Sequence, residues 1–311
     1  MGYVGTKGTK LPRFIEGNPA VFVPGESTED NVNNRRLFSG CTLSLTSPPC
    51  NFASVGLIAG IADSTYHALQ TSLKKRFSHG LSFLASYTLS KTLDDVSSFN
   101  ITGSASQSVA GENDLAQNPF DLAAEHGRSM FDARNRFVLS YEWRVPFWNH
   151  PQTWYQHVLG DWQLNGITTF MSGTPFTVYD DNDVSLQGSA PEISGFSSNR
   201  PNVVGNPNNG PRTPQEWFNT AAFQIPPQYT WGDAGRNILR GPGLATVDLS
   251  LRRRFILREG INLTAEAQAF NLLNRANFNL PDAFADQPLT FGKIFSAQAP
   301  RQIQFALRLA F

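Results

Sequence analysis

The final stretch of this chain restricts its fold more than any other. From Arg301 to Phe311, the residues Ile303, Phe305, Leu307, Leu309 and Phe311 are apolar at every second position, and Gln302, Gln304, Ala306, Arg308 and Ala310 lie between them. Side chains alternate across a strand, so one face is greasy and the other is largely polar. A soluble sheet that ends on an exposed apolar strand invites aggregation. A strand with lipid on one side and water on the other needs such a face. The pattern predicts an all-β fold, an antiparallel transmembrane β-barrel, and an outer-membrane location. A soluble β-sandwich is the competing reading; it also alternates, but it turns its polar face outward and uses shorter strands.

The alternation recurs along the chain. Tyr66 to Phe77 sets Leu69, Thr71, Leu73 and Phe77 against Ala68, Gln70, Ser72, Lys74 and Arg76. Further strands are predicted at Leu81 to Thr92, Arg136 to Val145, Trp162 to Met171, Thr246 to Phe255 and Ile261 to Phe270, with a stub near Tyr3 to Leu11. Most runs are about 10 residues, the length that crosses a bilayer at a tilt. Apolar residues at helical spacing are not seen in these runs. Nor is there an unbroken apolar run of about 18 residues, so no transmembrane helix is expected. Hydrophobic content is 40% and charged content 16%, since a barrel hides its greasiness in alternation.

The predicted connections alternate in length. Ser78 to Gly80, Pro146 to Asp161 and Leu257 to Gly260 are the shorter ones; Pro12 to Thr65, Leu93 to Asn135, Gly173 to Ala245 and Asn271 to Pro300 are long. In an up-and-down meander all long loops then share one side, as in outer-membrane barrels with short periplasmic turns and long extracellular loops. Two cations, Lys75 and Arg253, interrupt the apolar face near the short-turn end. There a cation costs little and snorkels to the interface. Trp143, Phe147 and Trp148 fall near the same rim and suit an aromatic girdle.

Several ordered motifs resemble TonB-dependent receptors of the Oar-like type, a family abundant in Acidobacteria and often carrying an N-terminal carboxypeptidase-regulatory-like domain. They are Tyr66-His67-Ala68-Leu69-Gln70, Lys75-Arg76-Phe77-Ser78-His79-Gly80-Leu81, Ser86-Tyr87-Thr88-Leu89-Ser90-Lys91 and Asp94-Asp95. Phe131-Asp132-Ala133-Arg134-Asn135-Arg136-Phe137, Ser172-Gly173-Thr174-Pro175-Phe176 and Gly232-Asp233-Ala234-Gly235-Arg236-Asn237 continue the series. Val247 to Leu251, Ala265 to Asn274 and the terminal Phe311 complete it. The resemblance implies a barrel of about 22 strands, filled by a plug and energised through the TonB complex. This chain shows about eight strands, and no plug, TonB box or signal peptide. Residues 1–311 are therefore expected to be the C-terminal part of such a barrel, and Ile303, Phe305, Leu307, Leu309 and Phe311 to resemble the signal read by the barrel-assembly machinery.

The polar face offers the candidate binding residues. Gln70, Lys74, Arg76, Glu142, Arg144, Asp248, Arg252, Arg254, Glu266, Gln268 and Arg308 are expected to line the water-filled lumen, against a plug or along a substrate path. Loops around Trp217, Phe223, Tyr229 and Trp231 are aromatic and either contact an oligosaccharide or peptide or pack on themselves. Cys41 and Cys50, the only cysteines, share one loop, where a disulfide is permitted. Asp94 and Asp95 read as solvated loop charges. The five histidines have no metal spacing, and no nucleophile motif or P-loop occurs. No enzyme activity and no cofactor is expected. The net charge of zero argues against a nucleic-acid partner. The leading function is the barrel portion of an uptake receptor. The alternative is a structural or adhesive surface protein presenting its loops. A barrel-embedded hydrolase and a soluble sugar-binding sandwich are the remaining classes.

Overall fold

The computed structural model describes residues 1–39, 52–97, 115–146, 153, 155–156, 160–188 and 197–311. Eight long strands form one antiparallel sheet in which each pairs with its sequence neighbour. They are β1 (Gly2–Glu16), β2 (Gly56–Ser78), β3 (Leu81–Asp94), β4 (Asn135–Arg144), β5 (Gln163–Met171), β6 (Leu244–Arg258), β7 (Ile261–Phe270) and β8 (Gln302–Ala310). The two-residue strand Gly127–Arg128 adds to the loop end of β3. No helix among the described residues is long and apolar enough to cross a membrane.

Cross-strand register aligns the alternation into two continuous faces. On one, Leu73 lies opposite Ala85, Ala85 opposite Leu139 and Leu139 opposite Thr168. The same face continues through Thr168–Val247, Leu249–Ala269 and Ala269–Ile303. These side chains stay outward, with Leu307 75% and Phe305 81% exposed. Gly166 sits directly opposite Tyr141 on this face; a Cβ there would fall 2.4 Å from the tyrosine ring, so glycine lets the ring lie across β5. Arg253 interrupts the face but is buried, with its guanidinium 4.7 Å from the Phe255 ring centre and 6.0 Å from that of Trp162. Aromatic cover, rather than snorkelling alone, accommodates it. Lys75 donates to the carbonyl of Ser78 at 3.2 Å, at the turn.

Loop asymmetry is real. The turn 79–80 has both residues at positive φ, 51° and 76°, the backbone of a two-residue hairpin turn, and 259–260 is equally short. The connections 17–55, 95–134, 172–243 and 271–301 all leave from the other side. The first hairpin corrects the sequence reading, which placed a loop over Pro12 to Thr65. Strand pairing continues to Glu16 opposite Gly56, and β2 runs for 23 residues. Gly8 to Pro12 contains register shifts and Lys10 has φ 56°. Such a bulge breaks simple alternation, which hid the upper half of the hairpin from a period-two search.

The long loops are not structureless. Phe176, Val178, Phe218 and Leu239 form a buried cluster, with Trp217, Phe223 and Phe291 packed on it. Phe218 meets Phe291 edge-on at 5.1 Å and Phe223 at 5.8 Å. Ion pairs tie this cap together and to the strand ends: Arg36 to Glu16, Arg200 to Glu125 and Arg236 to Asp94 are buried, and half-buried Arg240 reaches buried Asp132. Asp94, read from sequence as a solvated loop charge, is therefore a buried anchor. The proposed pair Cys41–Cys50 and the girdle residues Phe147 and Trp148 lie outside the described residues.

Among the described residues β8 pairs only with β7, and β1 only with β2. The sheet is an open wall with two unpaired edges; the last strand does not meet the first.

Candidate functional site

The second face is polar and carries the candidate residues. Strand parity sets Gln70, Lys74 and Arg76 on β2, Glu142 and Arg144 on β4, and Asp248, Arg252 and Arg254 on β6. Glu266 and Gln268 follow on β7 and Arg308 on β8. Register brings some of them into rows. Glu142 lies opposite Asn165, Asn165 opposite Ser250, and Ser250 opposite Gln268. One step nearer the short turns, Arg144, Gln163, Arg252 and Glu266 follow one another across four strands. Gln70, far along β2, and Arg308, on the open edge, stand apart from these rows.

Hydrogen bonds lock the centre of the wall. Gln163 Nε2 donates to Glu142 Oε1 at 2.6 Å and to Asn165 Oδ1 at 3.2 Å. Its Oε1 accepts from Arg252 Nη2 at 2.8 Å. Glu266 Oε1 accepts from Ser250 Oγ at 2.8 Å and from Gln268 Nε2 at 2.7 Å. Asp248 Oδ1 caps the end of β7 by accepting from the Asn271 backbone N–H at 2.8 Å. The carboxylates are thus satisfied by neutral donors, and the guanidinium groups keep free donor capacity.

A groove of about 500 Å³ lies on this face. Lys74, Glu142, Asp248 and Gln268 line it beside three apolar side chains, Leu84, Ile167 and Phe270. Ile167 is 51% exposed, although it belongs to the polar parity. The sequence reading placed none of Leu84, Ile167 and Phe270 among the candidate residues. Their signal was the break in alternation itself, an apolar residue where the water-facing parity required a polar one. The size and mixed lining suit a ligand or a packed protein segment. Among the described residues no three His, Cys, Asp or Glu side chains converge as metal ligands.

The aromatic loop residues divide. Phe223 packs in the cap, and Trp217 donates Nε1–H to the Arg240 carbonyl at 2.8 Å. Tyr229 and Trp231 remain exposed, with Tyr229 stacked on Phe22 at 4.9 Å.

In outward apolar face, inward polar wall and one-sided loops, this architecture is that of a membrane β-barrel wall. A family model described as an outer membrane beta barrel domain matches residues 1–304. Among solved structures, one chain of FpvA from P. aeruginosa, bound to an iron–pyoverdine complex, is 12% identical with a TM-score of 0.37. That match covers 86% of this chain and 22% of that one. No curated protein matches the chain. The protein belongs to the outer membrane β-barrel domain family, and its apolar face meets the lipid of the outer membrane.

Proposed function

We propose that the chain is the C-terminal part of the barrel of a TonB-dependent receptor, of the Oar-like type its motifs resemble, serving uptake across the outer membrane. The open sheet carries this reading. Two unpaired strand edges in hydrocarbon would leave rows of backbone N–H and C=O groups unsatisfied, each at several kcal/mol. An eight-stranded wall with free edges therefore calls for further strands. A wide barrel made that way has a lumen large enough for a plug, through which the TonB complex would act. The polar wall, with its mixed groove, supplies a surface for that plug or for passing cargo. The cargo is an oligosaccharide or peptide on the sequence reading, and Tyr229 and Trp231 stand on the loop side to meet it.

A second reading, a structural or adhesive surface protein, is favoured by the folded cap, which leaves Phe131 and Trp231 exposed. The coding DNA immediately upstream of Met1 separates the two. An in-frame plug, TonB box and export signal supports uptake; an unrelated gene before a true start codon refutes it. Assembly by the barrel-assembly machinery is tested by Phe311→Ala. Outer-membrane levels of that variant fall if the terminal strand is the recognition signal, and unchanged levels sink that part of the proposal.

A further inference from the structure

We propose that the polar wall holds a phosphate-binding site near the short turns, built by Arg144, Arg252 and Arg254. A pocket of about 560 Å³ opens there, bordered by these three arginines, Gln163 and Asp161. Arg144 and Arg252 flank Gln163 from the neighbouring strands on either side. Directly opposed side chains stand about 5 Å apart at Cβ, so the two guanidinium groups reach one shared volume. Arg254 follows Arg252 by two residues on the same face of β6. Arg253 also borders the pocket but turns its guanidinium onto Trp162 and Phe255.

These arginines lack the counter-ions that the cap arginines have. Among the described residues, none of Arg144, Arg252 and Arg254 forms an ion pair with a carboxylate. Glu266, opposite Arg252, spends Oε1 on Ser250 and Gln268. Asp161 is the one carboxylate on the pocket lining. Gln163 is fixed by Glu142 and Asn165 and holds one guanidinium nitrogen of Arg252, which pre-orients that fork. Three arginines on the lining outnumber its one carboxylate, Asp161, and even with Glu266 facing Arg252 the cluster keeps an excess of positive charge that an anion would join. Planar guanidinium forks match phosphate oxygens two at a time. Their combined charge suits a multiply charged phosphate better than a single carboxylate. The pocket faces away from lipid, so its occupant arrives from water. Its volume is that of a small-ligand site. This inference needs the family's membrane orientation, not the uptake reading, and the two fail separately.

The test uses the full chain refolded in detergent micelles, titrated calorimetrically with pyrophosphate at fixed ionic strength. Saturable binding is expected. Arg252→Ala/Arg254→Ala weakens it at least tenfold, and Arg136→Ala, on the same face of β4 but at its loop end, leaves it unchanged. Far-ultraviolet circular dichroism verifies that each variant keeps its strand content. Absence of saturable binding, wild-type affinity in the double variant, or an equal loss in Arg136→Ala overturns the site.

Discussion

Asp94→Ala is the sharpest test of how the cap is fastened to the wall. Asp94 ends β3 and is only 4% exposed, and its partner Arg236 is 6% exposed. The substitution removes the carboxylate and leaves a buried guanidinium. Breaking a buried pair in this way costs about 3–5 kcal/mol. Arg236 retains its bonds to the carbonyls of Glu125 at 2.9 Å and of residue 94 at 2.5 Å, and to Ser97 Oγ at 3.2 Å. That residual satisfaction puts the loss at the lower end, about 3 kcal/mol. Asp94→Asn keeps the shape and loses the charge, so about 2 kcal/mol is expected. Asp94→Ala/Arg236→Met removes both charges and recovers at least ~1 kcal/mol relative to the sum of the single variants. Native-state proteolysis of the refolded chain reads these differences. When reclosing is fast, the cutting rate follows the free energy of opening, and 3 kcal/mol corresponds to roughly 100-fold faster cleavage in the cap. Cleavage of Asp94→Ala within threefold of wild type would refute the anchor. So would additivity in the double variant.

Adjacent residues on β6 should respond oppositely to the same change. Leu251→Arg, on the lipid face, is expected to lose about 2–4 kcal/mol in denaturant titration in vesicles, whereas Ser250→Arg, facing the groove, loses no more than about 1 kcal/mol with its hydrogen bond to Glu266. Equal losses would contradict the face assignment. Gly80 has φ 76°, and a Cβ would lie 2.6 Å from the Arg144 carbonyl oxygen. Gly80→Ala and Gly80→Asn should both cost about 1–3 kcal/mol, because asparagine eases the dihedral but not the contact; a neutral Gly80→Asn would show that the contact is unimportant. Burial holds the Asp180 carboxyl above its ordinary value near 3.8, with Asp286 and Asp181 adding to the effect against hydrogen bonds from Asn182. The folded cap therefore binds that proton more tightly than the unfolded chain, and ionisation destabilises it as pH rises through the raised value. Asp180→Asn should slow cap proteolysis at pH 7 and lose its advantage as pH falls below about 4; a pH-independent difference would dismiss the electrostatic origin.

Alternation alone specified the two faces of the wall, because a strand's period of two is a local property of the backbone. Ile303 to Phe311, Phe137 to Val145 and Leu249 to Phe255 could be assigned to lipid from their own residues. The polar parity likewise marked Arg144, Arg252 and Glu266, and the spacing of the strands disclosed the one-sided loops. Three things needed the tertiary structure. Register turned separate polar strands into rows, bringing Arg144 and Arg252 to either side of Gln163; no local pattern encodes which residue of a distant strand stands opposite. The cap depended on contacts such as Arg236 with Asp94 and Phe176 with Phe218, between residues far apart in sequence, in loops that have no period to read. The open edges of β1 and β8 came from the strand pairing, since an alternating strand looks the same whether or not it has a partner on its far side. Among the described residues the largest buried apolar cluster also lies in the cap rather than the sheet, where Phe14 of β1 joins only Leu115 of a loop. A wall between lipid and water has no dry side on which to bury one.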